Sequence, residues 1–328
     1  MANIITPRPR YGSTALRPDW EELPQHVHHL VSRHLGGEVT AEPSAGSGFT
    51  RGFAAVVHGA VGTQFVKAVS SVDSGVIADC YRREAEINRA LPEAVPAPRL
   101  LWSEEWDGWV VLGFEAVEGG RMPSEPWRLT ELAASLDAYA TVAEVLASPS
   151  ASMLQLGLRH VEASGDFDDW RGLAGGTIKV DLLPAWVPLE LLDALAELES
   201  NWKPAVSGHA VLHYDLRQDN VLIDAHSAAW ICDWNWPCLG SSWFDLVPLL
   251  TTVHADGHDG SALFAAHPTA RGVSGDQLDA ALAALSGFFL VSGAQPPPDF
   301  GSPFLRQHQT WIGEAALRWL ADRHGWSF

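Results

Sequence analysis

Apolar residues first recur at helical spacing near the start of the chain, where Leu23, Val27, Leu30, Val31 and Leu35 fall on one stripe. Gly36-Gly37 follows, so the pattern predicts an amphipathic helix with a glycine stop. The period then shortens to that of strands. "FAAVVHG" and "TQFVKAVS", joined by a short Ala-Val-Gly connection, predict a β-hairpin with Lys67 inside its second strand. "DCYRREAEINRAL" returns to helical spacing and ends at Pro92, and "PAPRLLWSEEWDGWVVLGFEAVEGG" predicts two more strands turning at Asp107-Gly108. From Thr130 onward, Ala/Leu-rich stretches at 130–147, 188–202, 277–291 and 308–323 predict helices. Only "AVLHYD" and "NVLIDAHSAAWICDWN" interrupt them with β-rich pieces. The Pro- and Arg-rich opening residues predict irregular backbone. A small antiparallel sheet followed by a mostly helical remainder places the chain in the α+β class.

With 328 residues, 47% of them hydrophobic, the chain can build one large bilobal unit. Acidic residues outnumber basic ones 40 to 21, and the net charge of -19 argues against a nucleic-acid partner and for a cationic one. The cysteines Cys80, Cys232 and Cys238 form no C-x-x-C pair and predict neither a disulfide framework nor a zinc site, which fits a reducing cytoplasm. "MANIITPRPRYGS" lacks the apolar core of a signal peptide, and the longest apolar run, "ALAALSGFFLV", is too short to span a bilayer, so no membrane is expected. Oligomeric state leaves no trace in the sequence.

Chemistry concentrates in "HYDLRQDNVLID", residues 213–224. The strands on either side of Asp224-Ala225-His226 are expected to set Asn220 beside Asp233 at one end, with Asp215 facing both. That is a base with two hard oxygen ligands. Magnesium takes few protein oxygens, and phosphoryl transfer asks mainly for positioning and charge neutralisation. No G-x-x-x-x-G-K-[ST] occurs, which excludes a Walker-type NTPase. His26, His28 and His29 point to different faces of one helix and are read as solvated. His254 and His258 have i, i+4 spacing, but the Asp-Gly between them predicts a loop instead of a zinc pair. Most of the 15 tryptophans belong to the core, with Trp234, Trp236 and Trp311 as candidates for an aromatic acceptor pocket.

His213 to Asn220 matches H-x-D-x-x-x-x-N, and "ICDWNWPCLGSSWFDLVPLL" adds an Asp-Trp pair, a Gly-containing turn and Asp245-Leu246 at a helix start. Together these resemble the aminoglycoside phosphotransferase family of small-molecule kinases, closely over residues 209–248 and loosely over 44–250. Tyr214 stands where the family usually has Gly, and Arg217 where His is frequent. The resemblance implies a protein-kinase-like bilobal fold, with a β-rich N-lobe over 1–114 and a helical C-lobe over 115–328. It implies an ATP- and Mg2+-dependent phosphotransferase that moves the γ-phosphate to a hydroxyl of a small molecule.

Within that scheme Asp215 is the catalytic base, and Asn220 and Asp233 hold the metal. Arg217 either steadies the γ-phosphate or pairs with Asp219. Lys67 resembles the lysine on the nucleotide phosphates, with Glu84 as its helix partner and Glu86 as the rival. Ser47 and Gly48 form the tip of a phosphate-covering loop, "SAGSGFTRG", and Glu115 and Val117 form an adenine-binding hinge. The acidic stretches 162–170, with Asp166, Asp168 and Asp169, and 254–260 are candidates for holding a cationic aminoglycoside or amino sugar. A macrolide or another metabolite is an alternative acceptor, and a kinase-like binding protein without turnover is the rival from another class.

Overall fold

The period-two stretches fold into one five-stranded antiparallel sheet in the computed structural model, which describes residues 4–163, 167–299 and 301–328. Helix α1 (Gln25–Leu35) precedes the sheet and ends on Gly36 in the left-handed conformation. The strands are β1 (Thr40–Ala41), β2 (Phe53–Gly59), β3 (Gly62–Ser70), β4 (Leu100–Trp106) and β5 (Trp109–Glu115), with helix α2 (Gly75–Ala90) between β3 and β4. Their order is β1-β2-β3-β5-β4. Asp107 and Gly108 both take positive φ at the β4–β5 turn, the geometry a two-residue hairpin needs.

Alternation decides which helix covers which face. Phe53, Ala55, Val57, Val66, Ala68 and Val111 pack under Val27, Leu30, Val31 and Leu35 of α1. The opposite face, through Val69, Val110, Leu112 and Phe114, packs on Ile77, Ala78, Tyr81 and Ala85 of α2.

The remainder is helical. It comprises α3 (Leu129–Val145), α4 (Ala151–Gln155), α5 (Asp169–Ala174), α6 (Leu192–Ser200) and α7 (Trp202–Val206), then α8 (Leu246–Ala255), α9 (Gly260–Ala266), α10 (Gly275–Gly293) and α11 (Phe304–His324). Between α7 and α8 lie four three-residue strands: β6 (Ala210–Leu212), β7 (Val221–Ile223), β8 (Ala229–Ile231) and β9 (Cys238–Gly240). They form two separate hairpin-like pairs, β6 with β9 and β7 with β8. Helix α10 starts at a capping box made by Ser274 and Gln277 and is buried around most of its circumference, so it reads as continuous apolar sequence without a polar face.

Several local expectations are corrected. The two-residue β1 is too short to show a period and was not anticipated. Helix α2 begins at Gly75, ahead of the Asp79 start, because Ile77 and Ala78 already contribute to its apolar stripe. Helix α6 starts at Leu192, after Pro188 has first imposed a 3-10 turn over Leu189–Leu191. His28 is only half-exposed: its Nε2 lies 2.8 Å from the Trp20 carbonyl and its ring packs at a tilt on Trp20. The N-terminal segment is irregular as expected, yet Ile5 and Thr6 donate their amides to Glu314 of α11, so it lies on the helical half and not on the sheet.

Candidate active site

Lys67 sits between Val66 and Ala68, which face α1, so its own side chain is directed to the α2 face. Its Nζ donates to Glu84 Oε1 at 2.7 Å and Oε2 at 2.8 Å, and to Asp233 Oδ1 at 2.7 Å. Glu84 is buried, whereas Glu86 points outward to Arg83 at 3.1 Å, as expected for residues two positions apart on a helix. Burial works to lower the Lys67 pKa, but the flanking carboxylates outweigh it and keep the ammonium charged. Burial pushes the Glu84 carboxyl up, against the pull of that ammonium. Lys67→Ala is therefore expected to raise KM for ATP and lower kcat, Glu84→Gln to do so more weakly, and Glu86→Gln to stay near wild type in steady-state kinetics. A larger effect at Glu86 than at Glu84 would refute the pairing.

The loop after β6 is held by one buried carboxylate. Asp245, preceding α8, accepts the amides of His213 at 2.7 Å and Tyr214 at 2.9 Å, fixing Tyr214 at φ 68. His213 Nε2 donates to the Cys232 carbonyl at 2.9 Å, and its Nδ1 accepts the Asp215 amide at 3.3 Å. Burial lowers the pKa of this imidazole and keeps it in the neutral form that both contacts require. Asn220 Nδ2 donates to the Asp215 carbonyl at 2.8 Å and to its Oδ2 at 3.2 Å. Arg217 forks onto Asp219 at 3.0 and 3.1 Å and also donates to Asp215 Oδ1. Burial pushes the Asp215 carboxyl up to about 6, with Arg217 pulling the other way.

Strands β7 and β8 pair antiparallel, and the Cys232 amide donates to the Asn220 carbonyl at 3.0 Å, so Asn220 is bonded directly to the residue before Asp233. Asp233 has φ 66, and its Oδ1 receives both Lys67 and Asn235 Nδ2, the latter at 2.7 Å. Burial would raise its pKa, but the Lys67 ammonium prevails and holds the carboxyl at about 2. Asn235 Oδ1 is buried with no partner among the described residues. The sequence reading passed over Asn235, and it gave Asp245 no role beyond a motif position. A hard-oxygen donor set of Asn220, Asp233 and Asn235 suits an oxygen-seeking divalent ion. No cluster of three His, Cys, Asp or Glu residues with metal-binding geometry occurs among the described residues.

Other candidates stand apart from this group. The loop carrying Ser47 and Gly48 reaches it only through the next residue, Phe49, whose ring lies 5.5 Å from the Arg217 guanidinium. Glu115 ends β5 with its amide on the Arg99 carbonyl at 2.8 Å, and the Val117 carbonyl accepts from Gly120 at 3.0 Å. Asp166 lies outside the described residues. Asp168 is committed to Arg171 and to Trp202 Nε1, Asp256 to Arg8 and the Trp127 amide, and Asp259 caps α9. Of the described carboxylates in the two acidic stretches, Asp168, Asp256 and Asp259 thus have internal partners. His254 is helical, in the last turn of α8, and bonds Asp322 at 3.1 Å, so the loop expected there begins only beyond it. Trp234 is core, Trp311 is buried beneath Arg8, and Trp236 is exposed.

A small antiparallel sheet joined to a helical body through Lys67 and Asp233, above a loop of the His213–Asn220 type, defines the protein-kinase-like class of fold. The chain belongs to the APH phosphotransferase enzyme family, whose model it matches over residues 73–272. Among solved structures it is similar to an aminoglycoside 2′-phosphotransferase mutant in complex with GDP, at 16% identity and TM-score 0.60, covering 92% of this chain and 97% of that one. It is similar to a spectinomycin phosphotransferase in complex with ADP and spectinomycin, at 12% identity and TM-score 0.52, covering 91% and 99%. It also resembles an aminoglycoside phosphotransferase in a ternary complex with streptomycin and ATP, at 16% identity and TM-score 0.51, covering 80% and 90%. No curated protein sequence matches the chain. The expected family and fold class are thereby borne out.

Proposed function

We propose that the protein transfers the γ-phosphate of ATP to a hydroxyl of a small molecule. The observation that carries this reading is the junction of Lys67 with both Glu84 and Asp233, one short strand pair away from Asp215 and Asn220. Lys67 would bind the nucleotide phosphates with Glu84 aiming it, and the backbone of Glu115 and Val117 would meet the base. Asn220 and Asp233 would hold Mg2+, which supplies charge neutralisation for the transferring group when bound. Asp215 accepts the proton of the acceptor hydroxyl, and the Asn220 amide fixes its orientation. Arg217, forked between Asp219 and Asp215, is the cation nearest the base and is assigned to the γ-phosphate.

The acceptor is assigned to the aminoglycoside or amino-sugar class, on the acidity of the chain and on the spectinomycin and streptomycin complexes of similar structures. Three free cysteines fit work in the cytoplasm, and no helix among the described residues is long and apolar enough to cross a membrane. The test is ADP release with Mg-ATP and Mg-GTP against a panel of aminoglycosides, amino sugars, macrolides and neutral polyols. Acceptor-dependent release with an amino sugar or aminoglycoside is the expected result. Release only with a neutral acceptor would overturn the acceptor class, and none with any acceptor would overturn the reaction.

A pH profile follows from the state of the base. Asp215 must be ionised to accept a proton, so kcat/KM is expected to rise with pH through about 6 and level off above it. Arg217 favours the ionised form, so Arg217→Met should move that acid limb to higher pH. An acid limb that stays in place or moves down would remove Asp215 as its source.

A further inference from the structure

We infer that Arg17, in the N-terminal segment ahead of the sheet, is a positioning residue for the nucleotide phosphates, acting through the loop of residues 44–52. The inference rests on the nucleotide-binding reading proposed above and adds to it a side chain far outside the family match at 73–272.

The loop lacks the spacing of a G-x-G-x-x-G turn, so something else must hold its backbone in shape. Arg17 does so with one guanidinium. Its Nε donates to the Ala45 carbonyl at 3.1 Å, Nη2 to the Ser47 carbonyl at 3.1 Å, and Nη1 to the Gly52 carbonyl at 2.6 Å. The Ala15 amide takes the Gly46 carbonyl at 2.8 Å, and the Ser302 amide takes the Phe49 carbonyl at 2.8 Å. In a planar trans peptide the carbonyl of one residue and the N–H of the next point in opposite directions. Drawing the carbonyls of Ala45, Gly46 and Ser47 towards the N-terminal segment therefore turns the amides of Gly46, Ser47 and Gly48 away from it. Those amides, and that of Phe49, meet no acceptor among the described residues. Successive unpaired N–H groups of this kind make a concavity for anionic oxygens.

Two glycines fit the arrangement. Gly48 has φ +98, and a Cβ there would lie 2.9 Å from Arg17 Nη2; a Cβ on Gly46 would lie 2.0 Å from the Gly12 carbonyl oxygen. The segment that carries Arg17 is itself fixed to the helical half. Tyr11 Oη is 2.9 Å from His308 Nδ1, and Ser302 Oγ donates to the Thr14 carbonyl. The loop is thus braced from one side by a guanidinium and presents its donors on the other.

The test compares wild type with Arg17→Ala, Arg17→Gln and Arg17→Lys by calorimetric titration with Mg-ATP, Mg-GTP, adenosine and guanosine, alongside thermal melts. Arg17→Ala should weaken the bound triphosphate by about tenfold or more while leaving its nucleoside within about twofold, because only the phosphates use the loop amides. Arg17→Gln, which can reach one carbonyl, should resemble Arg17→Ala, and Arg17→Lys should recover part of the loss. A merely structural arginine would lower the melting temperature and leave the ratio of triphosphate to nucleoside affinity unchanged, and that outcome overturns the inference. Should Arg17→Ala fail to fold, triphosphate affinity at the wild-type level in both other variants overturns it equally. If wild type itself binds triphosphates no better than nucleosides, the nucleotide reading fails first, in a control that contains no substitution.

Discussion

Asp215→Asn is expected to cut turnover by about a hundredfold to ten-thousandfold while leaving Mg-ATP affinity within about twofold. The asymmetry follows from what the carboxylate touches. Its oxygens meet Asn220 and Arg217, which are proposed for the metal and the γ-phosphate, but not Lys67 or Asp233, so an isosteric side chain at 215 leaves the main nucleotide contacts in place. Asparagine keeps the shape and can still accept from Arg217, so the loop held by Asp245 stays in place, but the amide cannot take a proton. Single-turnover kinetics with a saturating acceptor, paired with calorimetric titration of Mg-ATP, separates the two quantities. A parallel loss of nucleotide affinity would show that Asp215 serves binding and would return the base assignment to open question.

Asp233→Ala is expected to remove the magnesium dependence of nucleotide binding altogether. Asp233 is the one proposed ligand that carries charge, and its pKa of about 2 keeps it ionised at any working pH. Asn220 and Asn235 offer only neutral amide oxygens, which bind a strongly hydrated dication poorly without a carboxylate. The same substitution also takes one of two carboxylates from Lys67, leaving the ammonium paired with Glu84 alone. Titration of ATP with and without Mg2+ should show a clear gain in affinity for wild type and none for the variant. An undiminished gain in Asp233→Ala would assign the metal to other residues. Lys67→Ala provides the complement, since it should weaken ATP with and without the ion.

The placement of the candidate site's residues was legible where they are contiguous in sequence. His213 to Asn220 and Asp233-Trp234 carry their spacing on one short stretch, and local strand pairing suffices to bring them together. The Lys67–Glu84 pairing was legible only through the family resemblance: the helical period says that Glu84 and Glu86 face different ways, so that one of them can meet Lys67, but not which. Asp245 was visible as a letter in a motif, but its work on two backbone amides depends on a loop closing over it. Arg17, Arg8 and Tyr11 gave no signal at all. They lie in a Pro-rich segment without period, and their partners are between 28 and 297 residues away. In the acidic stretches a sequence cannot show which carboxylates are committed: Asp168 and Asp256 are bonded internally once Arg8, Arg171 and Trp127 arrive.

Cys232 stands between the His213–Asn220 loop and Asp233, with its carbonyl on His213, its amide on Asn220 and its Sγ 3.4 Å from the Asn220 carbonyl. Burial first, and then the negative charge of Asp233, push its thiol up to about 12. Electrophiles and peroxides attack the thiolate, and a group with that pKa is ionised to only about one part in a hundred thousand at neutral pH. A cysteine-seeking covalent reagent is therefore expected to react slowly with Cys232, next to the proposed metal ligand Asp233.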